Sequence, residues 1–400
     1  MRRKRYPDGK RRAAEDSEKS RCIGGLGTCL SLVFLMTLLV VLVMTGCKSK
    51  YQEVAVPKAP TMPEGTRVEL TTEAPSTEEE TTPEEPEERI EVDGKIRSYL
   101  TGEMVDVAKA NRRPVAVMMS NDKEAQPQYG INRAGVVYEA PAEGGMNRFM
   151  ALIEDYDDLE RIGSVRSCRT YYTYFAREFD AVYAHFGQST FAKPYLSNVD
   201  NINGLEGIGT TAYYRSKDKK QPHNAYTSGS RLRESIQKLG YRDDYADTYR
   251  GHYNFVRGNE EIELENSLDA YKVYPGYNMN KPYFSYNEED KLYYRYQYNA
   301  AHSGDEGQIA VKNIIFQYCP VGHYATTDYL DINVHADEYG YYITDGRAIP
   351  VSWKKDGEFG VTHYYDTENN EIVLNKGKTW VCIIPTSDFK KTEIYGKDNS

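Results

Sequence analysis

Nine polar residues in the middle of the chain are of types that bind or move charge: Asn121, Glu139, Glu143, Arg148, Arg166, Arg169, His185, His223 and Asn224. A guanidinium presents a planar fork of donors that matches a carboxylate or phosphate two bonds at a time. Arg148, Arg166 and Arg169 therefore point to a pocket for an anionic group. The structural alternative is an ion-pair network in which Glu143 or Glu139 holds Arg166 and Arg169 and fixes loop geometry. A third reading uses the glutamates and histidines as acid and base for hydrolysis or group transfer.

Other chemistries are poorly supported. The seven histidines include no His-x-x-x-His, and no cysteine pair has zinc spacing, so no metal is expected. No Gly-x-Ser-x-Gly elbow and no phosphate-cradling Walker loop occur, and no cofactor is expected. Cys168 with His185 forms the minimal thiol–imidazole set. Yet Ser167-Cys168-Arg169 lacks the glycine that precedes the cysteine in the L,D-transpeptidase box, and the histidine lies downstream of the cysteine. A small core residue is the simpler reading. Of the six cysteines, Cys319 and Cys382 read as two buried thiols, with a single bridge between them as the other arrangement. The 36 tyrosines could line a glycan groove or pave strand faces, where β-propensity favours them.

The elements that must position these residues follow from pattern. Short apolar runs at Pro114–Met119, Gly135–Glu139, Arg148–Glu154 and Ala181–Phe186 read as strands. Gly163-Ser164 opens a stretch predicted as helix over roughly Ser167–Glu178, which would place Arg166 beside free N–H groups at a helix entry. Ser228–Leu239 is predicted as a second helix, capped by serine and stopped by Gly240. These mixed elements indicate an α/β domain over 111–257. A connector, helical or irregular, spans 258–282. Eight closely spaced strands then predict a β-rich antiparallel domain over 283–386, a meander or small barrel, with Trp353 and Trp380 as core anchors.

Ahead of the folded part lie three segments. Nine bases face four acids in the first 21 residues, and an uncharged stretch runs from Cys22 to Gly46, most apolar at Leu30–Met44. Such a run can cross a bilayer core, and the basic flank keeps its own side cytoplasmic. The run ends in Gly46-Cys47, which resembles a bacterial lipoprotein signal with Cys47 as the lipidated residue. An uncleaved single-pass anchor is the other arrangement. Residues 1–47 are thus a signal peptide or membrane anchor, and 48–110 a Pro/Thr/Glu-rich disordered linker. Between Glu64 and Asp93 twelve carboxylates face two arginines, an excess of ten that equals the net charge of the whole chain. Repulsion keeps such a tether extended. The acidic balance excludes a general nucleic-acid binder.

Beyond the linker the chain resembles the YerB-like family of Gram-positive lipoproteins. The segments that carry the resemblance are Arg113-Pro114-Val115-Ala116-Val117-Met118 with Asn121, Val136-Val137-Tyr138-Glu139, and Glu143-Gly144-Gly145-Met146-Asn147-Arg148-Phe149. They continue with Ile162-Gly163-Ser164-Val165-Arg166-Ser167 and Arg169, Pro222-His223-Asn224-Ala225-Tyr226-Thr227, Asp345-Gly346, Trp353-Lys354-Lys355 and Gly377-Lys378-Thr379-Trp380. The chain departs from the family at Cys168, where alanine is usual, and at Ser164, where proline is common. The resemblance implies an α+β or α/β protein, with a layered sheet-sheet-helix sandwich as first domain and a β-rich second one. It implies no reaction. The resulting expectation is a membrane-tethered, extracytoplasmic, non-catalytic module for a cell-envelope ligand or partner, such as peptidoglycan, teichoic acid or an envelope protein. A wall-directed hydrolase or transferase is the alternative.

Overall fold

A computed structural model describes residues 51–53, 89–258 and 260–397. The apolar run, Cys47 and most of the acidic stretch lie outside the described residues. Among the described residues, no helix is long and apolar enough to cross a membrane. The short strand 51–53 pairs antiparallel with Glu393–Lys397. From Arg89 onward the region expected as linker is folded. Lys95–Arg97 and Met104–Asp106 form an antiparallel pair, and a one-turn helix follows at Val107–Ala110. Ile96, Leu100 and Ala110 supply the apolar burial that the Pro/Thr/Glu composition before them lacks.

An eleven-stranded mixed sheet organises the molecule. In spatial order its strands are Leu268–Asp269, Arg347–Lys355, Glu338–Thr344, Asn313–Cys319, Thr379–Pro385, Val136–Pro141, Asn147–Ile153, Val115–Ser120, Val182–His185 and Asn201–Asn203, with Thr362–Tyr365 beside Arg347–Lys355. The sheet runs unbroken between the N- and C-terminal halves, because Thr379–Pro385 lies parallel to Val136–Pro141, with Trp380 opposite Val137 and Cys382 opposite Glu139. On its other side the same strand is parallel to Asn313–Cys319. The β-rich second half is therefore an antiparallel set with a parallel strand inserted at its inner edge, and its sheet is not closed into a barrel.

Strand alternation divides the core in two. One face carries Val115, Val117, Met119, Val137, Phe149, Ala151 and Trp380. Against it pack helix Gly229–Leu239, through Leu232 and Ile236, and a second sheet that includes Lys272–Tyr274, Tyr283–Asn287, Leu292–Gln297 and Glu393–Lys397, through Val273, Phe284, Tyr293 and Ile394. The other face carries Ala116, Met118, Tyr138, Met150 and Leu152, covered by helix Thr170–Glu178 through Tyr171, Tyr172 and Phe175. Few helices and many strands make this a mixed α+β protein.

Several sequence expectations are met closely. Ser228 caps its helix by accepting from Arg231 N, and Gly240 ends it at φ +69°. Trp353 and Trp380 are fully buried, and Cys168, Cys319 and Cys382 are free buried thiols. Tyr341-Tyr342 are buried on strand Glu338–Thr344, as the strand-face reading of the tyrosines expects, whereas Tyr171-Tyr172 are buried on a helix. Others are not met. Helix Thr170–Glu178 starts three residues later than expected, because the preceding N–H groups are taken: Arg166 N donates to the Met118 carbonyl and Cys168 N to the Gly187 carbonyl. Within 258–282 there is no helix among the described residues. Leu268–Asp269 and Lys272–Tyr274 instead join the two sheets.

A buried ion cluster sits at the C-terminal end of helix Thr170–Glu178. Glu178 accepts from Lys355 Nζ, from Thr362 N at 3.1 Å and faces His252 Nε2 at 2.7 Å. Burial alone would raise this carboxyl, but Lys355 and His252 outweigh it, and the net shift is downward.

Candidate functional site

Four of the nine sequence-selected residues meet at one edge of the main sheet. Strands Val115–Ser120, Val136–Pro141 and Val182–His185 run in one direction and end there, an edge at which α/β folds gather ligand-contacting loops. Glu143 stands in a tight turn after Val136–Pro141, a turn that Gly144 allows by taking φ +73°. Arg148 is at the start of the adjacent antiparallel strand, opposite Ser120. Arg166 and Arg169 come from the extended segment 162–169, which is laced into place at both sides. Val165 N donates to Ala225 O, and Phe186 N donates to Arg166 O.

The three guanidiniums differ in how far they are satisfied. Arg169 donates from Nε and Nη2 to the two Glu143 oxygens, each at 2.5 Å, and from Nη1 to the Cys168 carbonyl at 2.8 Å. Arg148 donates from Nη1 to the Ser167 carbonyl at 2.7 Å, and its Nη2 lies 3.7 Å from Glu143. Burial, then the positive charges of Arg169 and Arg166, bring its pKa down to about 10. Among the described residues Arg166 has one protein acceptor, the Pro222 carbonyl, at 3.2 Å from Nη1. Its Nε/Nη2 edge, the same edge that Arg169 uses on Glu143, has no partner among the described residues and is not sealed from solvent. No carboxylate lies within 4.0 Å of Arg166 among the described residues. Burial lowers its pKa, and Asp122 partly offsets this. The Glu143 carboxyl, which burial alone would raise, is held below its usual value by Arg169 and Arg148.

His223 borders this cluster, since Pro222 supplies the Arg166 acceptor. Its Nδ1 lies 3.6 Å from Asp122 Oδ2 and 3.4 Å from Ser120 Oγ. This is not a relay of the Ser-His-Asp kind. One nitrogen faces both partners, and the Ser120 hydroxyl is already donated to Asp122.

The other selected residues stand elsewhere. Glu139 is on the opposite face, where its carboxylate is fully enclosed. It accepts from Arg295 Nη2 at 2.8 and 3.0 Å, Asn147 Nδ2 at 2.9 Å and Trp380 Nε1 at 3.0 Å. Arg295 is itself 0% exposed and donates onward to Gln297 Oε1 and to His302 Nδ1. An arginine can only donate, so His302 Nδ1 accepts and Nε2 carries the proton toward Gln128 Oε1, 2.8 Å away. Burial and then Arg295 push the His302 pKa far down, consistent with that neutral form. His185 is buried, with Nδ1 2.8 Å from the Gly187 carbonyl and Nε2 3.2 Å from Asn201 Oδ1. Asn224 bonds Arg215 and the Ser216 carbonyl. Asn121 is fully buried and neither of its side-chain amide atoms has a partner among the described residues, while its backbone carbonyl accepts from Tyr298. Both His185 ring nitrogens are thus turned to Gly187 and Asn201, so the thiol–imidazole pair with Cys168 is not assembled. Burial also pushes the Cys168 thiol up to about 12.

Sequence reasoning passed over Arg295, His302 and Gln128. Arg295 follows Tyr293 on the inward face of Leu292–Gln297, but an arginine in an alternating strand reads as the outward face.

The family model described as "Protein of unknown function (DUF3048) N-terminal domain" matches residues 100–242, and its C-terminal counterpart matches 273–381. A Bacillus subtilis (strain 168) protein named "Putative lipoprotein YerB" is 28% identical over 317 residues, which are 74% of this chain and 88% of that protein. The crystal structure of YerB protein from Bacillus subtilis matches with a TM-score of 0.65 at 26% identity, over 74% of this chain and 98% of that one.

Proposed function

The chain belongs to the YerB-like family, whose N- and C-terminal domains are described as of unknown function, and from that membership we propose a membrane-tethered lipoprotein, anchored through Cys47, that binds an anionic component of the cell envelope without transforming it. The observation that carries this reading is the open Nε/Nη2 edge of Arg166, set among three guanidiniums that have one carboxylate, Glu143, within bonding range among the described residues. Crowded positive charge at a sheet edge is relieved by an incoming anion, and a bidentate guanidinium edge fixes its orientation. The relative's name supports the anchor, as do the apolar run and Gly46-Cys47. The basic flank of that run supports an extracytoplasmic folded part.

The test is co-sedimentation of the full chain with purified wall fragments. The expected result is retention that Arg166→Gln abolishes, with no soluble product released. Release of product that is lost in Glu143→Gln would replace this reading with the hydrolase or transferase alternative. Retention unchanged in Arg166→Gln would sink the site.

A further inference from the structure

The arginine cluster continues into an aromatic surface. Arg169 Cζ lies 5.3 Å from the centre of the Tyr329 ring. Phe191 stacks on Tyr324, centres 4.3 Å apart and planes 8° apart, and meets Tyr329 at 5.6 Å and 65°. These rings come from distant parts of the chain. Phe191 follows Val182–His185, while Tyr324 and Tyr329 close the turn between the short strands Val321–His323 and Leu330–Ile332, where Tyr324 N donates to Tyr329 O. Backbone bonds register the first part against the arginines. Ser189 N donates to the Cys168 carbonyl, the same carbonyl that accepts from Arg169 Nη1. All three rings stay part-exposed, unlike the buried Tyr171 and Tyr172 on the adjoining helix.

Charge narrows what could lie across this surface. Three guanidiniums stand near two carboxylates, Glu143 and Asp122, so positive charge is in excess at the cluster and suits an anionic group. The rings supply apolar faces with two tyrosine hydroxyls at their edges. That combination suits a molecule with an apolar C–H face and many hydroxyls.

We infer that the ligand of the arginine cluster is a sugar bearing one acidic group, with the acid on the open edge of Arg166 and the sugar ring against Phe191, Tyr324 and Tyr329. The inference rests on the anion-binding reading above and adds the sugar to it. A carboxylate and a phosphate ester present the same chemistry to Arg166, so both sources of the acid are compatible with it.

Calorimetric titration of the full chain in detergent tests it, with glucuronate and glucose 1-phosphate set against acetate, inorganic phosphate and glucose. Glucuronate is expected to bind about five- to tenfold tighter than acetate, the range that one or two aromatic contacts supply. Phe191→Leu, which keeps volume and loses the ring, and Tyr324→Ala should each pull the glucuronate-to-acetate ratio toward one. Arg166→Gln should weaken both acids together. The stronger of glucuronate and glucose 1-phosphate identifies the acid. The inference is overturned if glucuronate binds no tighter than acetate. It is equally overturned if Phe191→Leu, with unchanged thermal unfolding, leaves the ratio as it was. If neither acetate nor phosphate nor either sugar acid binds, the anion-binding reading falls first and takes this one with it. If acetate binds and sugar adds nothing, only the present inference is lost.

Discussion

Glu139 and Glu143 are four residues apart, and each holds an arginine, yet their surroundings are opposed. Glu139 lies between the two sheets, and its two oxygens accept four hydrogen bonds from Arg295, Asn147 and Trp380. One carboxylate is matched there to one guanidinium, and both are 0% exposed. Glu143 lies at the sheet edge, where one carboxylate is within reach of two guanidiniums and a third stands close by. Charge withdrawn from water must be balanced and fully hydrogen-bonded, or its desolvation outweighs its attraction. An unbalanced set is tolerated only where solvent, or a ligand, completes it. Balance therefore marks the first glutamate as structural, and imbalance is what singles out the second as the candidate for the proposed binding surface.

The largest expected effect is at the balanced site. Glu139→Ala leaves Arg295 buried without its counter-ion and should cost ~3–5 kcal/mol of stability, measured by denaturant unfolding. A loss no greater than that of an ordinary surface substitution would show that the enclosed pair is not needed. Glu178→Gln removes the partner of Lys355, with both side chains 1% exposed, and should cost ~3 kcal/mol by the same argument. The native Glu178 carboxyl titrates below the ordinary glutamate value of 4.5, so its contribution is complete above that pH and is lost as pH falls through the folded value. Thermal unfolding of the native chain should therefore weaken below about pH 4.5, and Glu178→Gln should flatten that dependence.

At the edge site the effects are smaller and unequal. Arg169→Ala leaves the long contact to Arg148 as the one guanidinium contact of Glu143 among the described residues and should cost ~1–3 kcal/mol. Arg166→Gln should change stability by no more than ~0.5 kcal/mol while removing anion binding. Equal destabilisation by these two substitutions would erase the distinction drawn between the clusters and make the edge site structural as well. The smallest effect belongs to Cys168, a fully buried thiol with its pKa pushed up to about 12. Iodoacetamide should leave it unmodified in the folded chain at pH 8, as read by mass spectrometry.

How much of this was legible in sequence depends on the distance over which each feature is decided. The strands Val115–Ser120, Asn147–Ile153 and Thr379–Pro385 were readable as local apolar runs, and helix Gly229–Leu239 was readable from its Ser228 cap and Gly240 stop. The grouping of Glu143 with Arg169 was among the pairings the residue types allowed. Three features were not readable. The start of helix Thr170–Glu178 is set by bonds to Met118 and Gly187, carbonyls far off in sequence. The pairing of Glu139 with Arg295 joins residues 156 positions apart, and nothing near either one signals the other. His185, selected as a strand-end histidine, is occupied by Gly187 and Asn201 and turned away from Cys168.

The parallel alignment of Thr379–Pro385 with Val136–Pro141 has a consequence for how the chain must be made. Val136 and Thr379 are 243 positions apart, so the inner edge of the N-terminal half has no partner until residue 379 and those after it have been made. A chain stopped anywhere before residue 379 would carry an uncovered row of backbone donors and acceptors, the kind of surface that recruits other nascent chains. Thr379–Pro385 thus acts as a wedge inserted between two strands made earlier, and the N-terminal half of the sheet gains its second neighbour only after that distant segment has emerged.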